Sequence, residues 1–241
     1  MRLTRQVVPA VMAAGMGCAM LVGCSDERVD RSAAPLRSTA SSVTPSPTPS
    51  PSPTPTATTA PVPAGPVPSD GSPRRARVSV PAAGVDDLVV VPYRGFTDDG
   101  EGTRIQDGGV AASPHGPRGG VGPGGIGNFQ VTAHRLSSTR AFLDLPDAGT
   151  GDKIVVEAAG TRYVYRITST RETSFRQPAS LAAQRAAVPG RPGVEPTRAM
   201  ITLSTCATPE DHAEGNYWSD EFSNPEHRID KIGLLVRTSP A

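Results

Sequence analysis

The sequence predicts an all-β domain in the C-terminal part of a chain of 241 residues. Short segments rich in β-branched and aromatic residues recur between Gly- and Pro-rich connections, and helical signals are brief. The stretch 76–241 is the size of one domain and can bury a single core. Several short strands with turn-rich connections in a domain of this size favour a barrel or a sandwich over an α/β sheet.

Residue patterns place the individual elements. Strands are predicted at 78–80, 87–93, 128–134, 200–206 and 229–237, and a hairpin of 153–157 with 162–168 turns near Ala159 and Gly160. Helices are predicted over 139–145 and 180–187. Ser180 is the expected N-cap of the second helix, and Pro189 marks its end.

The first 24 residues have the pattern of an export signal. Arg2 and Arg5 precede a nearly apolar run over 7–23, and LVGC at 21–24 resembles a lipoprotein cleavage site. In such lipoproteins the cysteine is diacylated, so Cys24 is the expected lipidation site, and two chains anchor stably. The alternative is an uncleaved signal anchor, although the apolar run is at the short edge of the roughly 17 to 25 residues that span a membrane. Either places the domain on the outer face of the cytoplasmic membrane.

Residues 25–75 are predicted to form a disordered tether. The tract is rich in Pro, Ser and Thr, and Pro alternates with Ser or Thr from Thr44 to Pro55. It has too few apolar side chains to offset the entropy of ordering, and its prolines favour an extended polyproline II path. An O-glycosylated stalk or a plain spacer fits the same composition.

Charge excludes one class of partner. From Ala76 onward the domain carries 17 Lys and Arg against 19 Asp and Glu. A domain with this slightly acidic balance has no basic face for nucleic acid.

Cys206 is the residue on which the functional prediction depends. It closes the apolar run that starts at Ala199, and it is the lone cysteine of the predicted domain, so it has no disulfide partner there. A thiol at the open end of a strand can be a nucleophile, although a buried and inert cysteine is the commoner case.

A cysteine nucleophile needs a base, and acyl transfer needs a positive or hydrogen-bond-donating group at the oxyanion. His134 is the favoured base, because it alone among the four histidines ends a strand-like segment; His227 is expected to be a loop residue. Arg228 begins the final apolar strand and stays charged at any working pH. The structural alternative for Arg228 is a surface ion pair with Glu226 or Asp230.

The order and spacing of these pieces resemble the sortase family of cysteine transpeptidases, and more closely its class E members of actinobacterial type. GNFQVTAHR at 127–135 matches the strand that ends in the catalytic histidine, and GDKIVV at 151–156 matches the following strand. ITLSTC at 201–206 matches the TLxTC nucleophile motif, and Arg228 matches the basic residue of the last strand. The match spans nearly all of the domain in the right order.

The resemblance implies an eight-stranded β-barrel with short helices and no cofactor. Cys206 would attack the Thr-Gly bond of an LPxTG-like or LAxTG-like sorting signal on a secreted protein. An amine of a peptidoglycan precursor or a pilin lysine would resolve the thioacyl intermediate. His134 would protonate the leaving amine, Arg228 would steady the oxyanion or the bound signal, and Thr205 would help to shape the pocket.

The sequence departs from the family pattern in three places. Thr132 and Ala133 precede His134 where the family has Ala-Gly, and 108–127 is unusually Gly-rich. The segment between Cys206 and Arg228 is longer than expected, which leaves open whether it occludes the groove.

That long segment carries two further features. Tyr217 and Trp218 could form an aromatic lip for the peptide or a lid packed on the barrel, so Trp218 is a candidate substrate-binding residue. The acidic residues at 210–221 match no metal-binding loop, and a solvated acidic loop with no metal is expected.

Two functions outside catalysis compete with the transpeptidase reading. The first is a catalytically quiet sortase-like lipoprotein that binds peptides. The second is an unrelated ligand-binding β-sandwich in which Cys206 is inert.

Overall fold

Eight strands close into one barrel in the order β1-β2-β3-β4-β7-β8-β6-β5, with β5 pairing back to β1. The structure is a computed structural model and describes residues 65–241. The predicted signal peptide, Cys24 and the tether as far as residue 64 lie outside the described residues. The strands are β1 Ala76–Val80, β2 Val85–Arg94, β3 Ala111–His115, β4 Gly127–Thr132, β5 Lys153–Ala158, β6 Thr161–Ser174, β7 Ala199–Cys206 and β8 His227–Pro240. The predicted eight-stranded β-barrel is confirmed.

Inward-pointing side chains fill the barrel. In β5 the alternation of the sequence becomes an alternation of burial, with Ile154 and Val156 fully buried and Lys153 exposed, as a period of two requires. Phe129 of β4 and Ile201 of β7 meet them in the same core. Burial of these large apolar side chains is the main favourable term in the folding of the barrel.

The strands that carry the predicted site are neighbours. β4 pairs with β7 in parallel, and β7 pairs with β8 in antiparallel register. The hairpin of β5 and β6 turns at Ala159 and Gly160 as predicted, and both residues have positive φ. β3 was not predicted from the sequence, and it joins β2 in parallel and β4 in antiparallel register.

Three short helices connect the strands: α1 Gly100–Asp107, α2 Pro178–Arg185 and α3 Thr208–Ala213. Only α2 was predicted. The predicted helix over 139–145 is wrong, because the stretch forms turns that end in a 3-10 turn at Leu145–Asp147. Ser180 is not the N-cap of α2. Gln177 holds that position, and the Ser180 hydroxyl accepts a hydrogen bond from the Ser174 backbone N–H at 2.9 Å.

Part of the segment predicted as tether lies against the barrel. The Ser69 N–H donates to the Gly124 carbonyl at 2.9 Å, and the Gly122 N–H donates to the Gly71 carbonyl at 2.7 Å. Contact with the barrel therefore begins before Ala76. In residues 65–241 no helix combines the length and the apolar character needed to cross a membrane.

Candidate active site

Cys206 and Arg228 are cross-strand partners. Cys206 is the last residue of β7, Arg228 is the second residue of β8, and the antiparallel register places them opposite each other. Side chains at facing positions of such a pair lie about 4.5 to 5.5 Å apart at Cβ. The ladder therefore fixes the thiol beside the guanidinium without help from a loop.

Arg228 is deeply buried, with 1% of its surface exposed. Its Nε donates to Asp98 Oδ2 at 2.8 Å, and its Nη1 donates to the carbonyls of Pro225 and His227 at 3.3 and 3.4 Å. The guanidinium carbon lies 4.4 Å from the centre of the Phe175 ring. Nη2 is buried and has no partner among the described residues. The guanidinium is thus held on several sides with one donor free.

Asp98 belongs to the segment between β2 and α1 and is 5% exposed. Its Oδ1 accepts from Gln106 Nε2 at 2.9 Å, and its carbonyl accepts from Asn224 Nδ2 at 3.3 Å. Its φ of 56° is in the left-handed region that non-glycine residues rarely adopt. Two segments far apart in sequence therefore hold the carboxylate that neutralises Arg228.

The surface partners considered for Arg228 are engaged elsewhere. Asp230 is buried, and its carboxylate accepts from Ser204, Gln184 and Thr173 at 2.6, 3.0 and 2.6 Å. Burial raises the pKa of Asp230. The Glu226 carboxylate accepts from Ser174, Arg176 and Asn216.

The Cys206 thiol is held mainly in its neutral form. Burial raises the pKa of this thiol, and the positive charges of Arg228 and Arg135 act in the opposite direction. Desolvation disfavours a thiolate and a nearby cation favours it. A nucleophile in this setting depends on a neighbouring base and cation to reach its reactive state.

His134 lies two residues beyond the end of β4, so the prediction that it ends the strand itself is corrected by that distance. Its Nε2 is 2.9 Å from Asp107 Oδ1, at the last residue of α1. The Thr205 hydroxyl donates to the Ala133 carbonyl at 2.9 Å, and the Ala133 N–H donates to the Ser204 carbonyl at 3.3 Å. These two bonds join the segment before His134 to the strand that ends in Cys206.

Arg135, next to His134, supports the other end of β7. Its Nη1 donates to the Cys206 carbonyl at 3.3 Å and to Glu210 Oε2 at 2.5 Å, and its Nε donates to the Leu143 carbonyl at 3.3 Å. Burial would raise the pKa of Glu210, but the hydrogen bond from Arg135 holds it below its usual range. Arg135 therefore fixes the backbone at the nucleophile.

A cleft of about 300 Å³ brings Cys206 and His134 to a common surface. Its other walls come from α1, from the residues after His134 and from the long segment between β7 and β8, namely Thr103, Asp107, Arg135, Leu136, Ser137, Thr208, Phe222, Ser223, Asn224 and Pro225. The long segment thus forms a wall of the cleft. It rests on the opposite wall through Asn224, which bonds the Asp98 carbonyl.

The two binding residues predicted at the rim have different positions. Thr205 is buried and acts through its bond to Ala133. Trp218 is not one of the residues that line this cleft in the described part of the chain, and its ring centre lies 5.8 Å from the Arg176 guanidinium. Phe222, from the same segment, lines the cleft instead.

His227 is the first residue of β8, although the sequence suggested a loop. Its Nδ1 is 2.5 Å from Asp211 Oδ1, and its N–H donates to Asp211 Oδ2 at 3.1 Å. Burial lowers the pKa of His227, but the bond to Asp211 and the charges of Glu172 and Glu226 raise it overall. The pair joins α3, just after the nucleophile, to the strand that carries Arg228.

The acidic residues at 210–221 are used in such contacts. Asp211 bonds His227, Glu210 bonds Arg135, and the Asp220 carboxylate accepts from the backbone N–H groups of Phe222 and Asn224. Within residues 65–241, no three His, Cys, Asp or Glu side chains are grouped in a way that could hold a metal ion.

Asp98 and Asp107 were missed by the sequence analysis. Both belong to α1 or its approach, where the polar and Gly-rich run from Thr97 to Gly109 gave no recognised element. Asp99 accepts from the Gly102 N–H at 2.9 Å as the N-cap of α1. An Asp before a short polar helix was the available signal.

Comparison with known proteins agrees with this geometry. The family model described as the Sortase domain matches residues 78–218, more than half of the chain. No curated protein matches the sequence.

Solved structures share the fold. The SrtA sortase from Actinomyces oris is 20% identical, with a TM-score of 0.52, over 74% of this chain and 88% of its own. Sortase E1 from Streptomyces coelicolor, solved with a tripeptide in the active site, is 22% identical over 72% and 94% of the two chains, with a TM-score of 0.49. The SrtF sortase from Corynebacterium diphtheriae is 20% identical over 73% and 90%, with a TM-score of 0.48.

Proposed function

The chain belongs to the sortase family of cysteine transpeptidases, and on that premise we propose that it cleaves a sorting signal of the LPxTG or LAxTG kind between Thr and Gly. The acyl group is then transferred to an amine of a peptidoglycan precursor or of a pilin lysine. The substrates are secreted proteins with a C-terminal sorting signal. The class E assignment rests on the motif pieces at 127–135, 151–156 and 201–206.

Each of the three central residues has one role. The Cys206 sulfur attacks the Thr carbonyl, and His134 gives a proton to the leaving Gly amine, so that the C–N bond breaks and a thioester remains. Arg228 stabilises the negative charge on the carbonyl oxygen with its free Nη2. An incoming amine reverses these steps, and His134 then takes its proton.

One observation carries the proposal. The strand ladder places Arg228 opposite Cys206, and the guanidinium keeps a buried donor without a partner in the described residues. A buried donor left unpaired costs free energy in the resting protein. The same donor gains a partner when an oxyanion forms, which is the differential stabilisation that speeds acyl transfer.

Three carboxylates or hydroxyls set up these groups in the proposed reaction. Asp98 orients Arg228, Asp107 orients His134, and Thr205 ties the two strands together near them. None of the three touches the reacting atoms in this scheme, so they are positioning residues.

We place the domain on the outer face of the cytoplasmic membrane. The proposal rests on the export-signal pattern and on Cys24, whose diacylation would anchor the chain. An uncleaved signal anchor would give the same location. Labelling cells with a radioactive or alkyne fatty acid, with Cys24→Ser as the control, tests the lipid anchor.

The enzyme assay uses quenched fluorescent peptides with LPxTG and LAxTG signals, each with and without an amine acceptor. Wild type is expected to cleave at least one signal and to form an amide product with the acceptor. Cys206→Ala is expected to do neither. Cleavage by Cys206→Ala at the wild-type rate, or none by wild type, would contradict the proposal.

A further inference from the structure

The cleft beside Cys206 opens toward His134 rather than toward Arg228. His134, Asp107 and Leu136 line it, whereas Arg228 does not. We propose that this cleft is the subsite for the acceptor, and that Asp107 selects there a cationic primary amine carried on an aliphatic stem. The inference rests on the proposed transpeptidation and adds the chemical class of the acceptor.

The position of the base decides which group occupies the cleft. In the first half of the reaction His134 protonates the leaving amine, and in the second half it deprotonates the incoming amine. The two steps are the reverse of each other, so both nitrogens approach the acyl carbon from the His134 side. The only part of the signal that belongs on this side is the leaving Gly. After it departs, the cleft is free for the acceptor.

Asp107 supplies the unbalanced charge of the cleft. Its side chain is 63% exposed, and the contact that it makes is with His134 Nε2. The other charged side chain of the cleft wall, Arg135, is paired with Glu210. A carboxylate at the mouth therefore meets no cation of comparable reach, and it attracts an ammonium group by charge and hydrogen bonding.

Apolar side chains flank the same entrance. Leu136 is 45% exposed and Phe222 is 40% exposed, and both line the cleft from opposite segments of the chain. Such residues gain by covering a stem of methylene groups. A primary amine on a lysine-like stem satisfies both features, since the ammonium reaches Asp107 while the stem lies between Leu136 and Phe222.

A polar group deeper in the cleft fits the same ligand. The Thr103 hydroxyl oxygen is buried and has no partner in residues 65–241, although Thr103 lines the cleft. An N–H of the bound amine gives this oxygen a hydrogen-bond donor.

The transfer step balances as follows. The ammonium gives one proton to the neutral imidazole of His134, and the freed nitrogen lone pair attacks the thioester carbonyl. The C–N bond forms, the C–S bond breaks, and the second proton of the nitrogen passes to the departing Cys206 sulfur. The products are the amide, the Cys206 thiol and the imidazolium of His134, which returns its proton to water.

The test compares three acceptors on the full chain acylated by the same signal peptide: N-acetyl-lysine amide, triglycine and hydroxylamine. The first two are cationic near neutral pH, and only the first has the stem; hydroxylamine is a neutral nucleophile. The measurement is kcat/KM for each acceptor, with hydrolysis followed in parallel. Wild type is expected to prefer N-acetyl-lysine amide to triglycine.

Asp107→Asn is expected to lower the kcat/KM ratio of N-acetyl-lysine amide to hydroxylamine by about three- to fivefold, as suits a charge contact at a largely exposed site. The decrease should shrink at high salt, because such contacts are screened. Glu101→Gln removes the same charge from an exposed position of α1, where it pairs with Arg104, and should leave the ratio unchanged. Phe222→Ala should reduce the preference for lysine over triglycine by about threefold.

Asp107 also orients His134, and the ratio separates the two effects. Loss of orientation slows both acceptors equally, so an equal decrease in Asp107→Asn would overturn the inference. A wild-type enzyme that uses triglycine as well as N-acetyl-lysine amide would also overturn it. Failure to cleave the peptide with any acceptor or with water would instead remove the proposed function on which the inference rests.

Discussion

The buried ion pair of Asp98 with Arg228 is the contact on which both stability and activity depend most directly. Asp98→Asn keeps the shape of the side chain and removes its charge. The carboxylate now accepts from Arg228 Nε with one oxygen and from Gln106 Nε2 with the other. An amide has one acceptor and one donor at these places, so one of the two contacts becomes donor against donor.

The magnitude follows from burial. Arg228 is 1% exposed and Asp98 is 5% exposed, and removal of one partner of a buried pair typically costs about 3 to 5 kcal/mol, because the other charge stays behind. With a urea dependence of about 2 kcal/mol per molar, the unfolding midpoint should fall by about 1.5 to 2.5 M. Loss of the orientation of Arg228 should lower kcat by up to about 100-fold, the scale of one oxyanion donor.

Urea unfolding followed by fluorescence, together with kcat on a signal peptide, measures both effects. The double variant Asp98→Leu with Arg228→Met removes both charges and should recover most of the stability, since apolar replacements of a buried pair are often neutral. It should remain inactive. A midpoint shift below about 0.5 M in Asp98→Asn would refute the reasoning, because the buried guanidinium would then not depend on Asp98.

Three further outcomes follow from the same contacts. Thr205→Val removes the donor to the Ala133 carbonyl and should cost about 1 to 2 kcal/mol in urea unfolding; an unchanged midpoint would count against that bond. Arg228→Met should move the pH profile of Cys206 alkylation by iodoacetamide to higher pH, because burial still raises the pKa of the thiol while the opposing cation is gone; an unmoved profile would contradict this. The pKa of His227 is raised in the folded chain, so its stabilising contribution is complete below the unfolded pKa of about 6.5 and is lost as pH rises through the folded value. His227→Gln should flatten the dependence of unfolding free energy on pH in that window, and an equally steep dependence would exclude His227 as its source.

The fold could be predicted from the sequence where local pattern and burial agree. The alternation in β5 and the apolar run of β7 survive as strands because their inward residues fill the core. β3 was missed because it is buried at four successive positions and contains Pro114, so it shows neither alternation nor a typical strand composition. The predicted helix over 139–145 failed because its apolar residues pack as turns before Pro146.

The central residues of the site could be predicted, and their supports could not. Cys206 and Arg228 belong to motifs with a fixed spacing along single strands. Asp98 and Arg228 are 130 residues apart in sequence, and their contact depends on how the segment before α1 crosses the barrel. Neither residue alone carries a local signal of that contact, since an isolated Asp in a Gly-rich run reads as a turn.

The helix α1 joins the two halves of the catalytic arrangement. Gln106 at its end bonds Asp98, which holds Arg228, and the next residue, Asp107, bonds His134. The base and the cation are thus held from one rigid element of eight residues, although they come from different strands of the barrel. Because the Asn224 side chain bonds the Asp98 carbonyl, the long segment after Cys206 joins the same assembly. Its added length therefore supports the orientation of Arg228, and the thiol still faces the cleft that it walls.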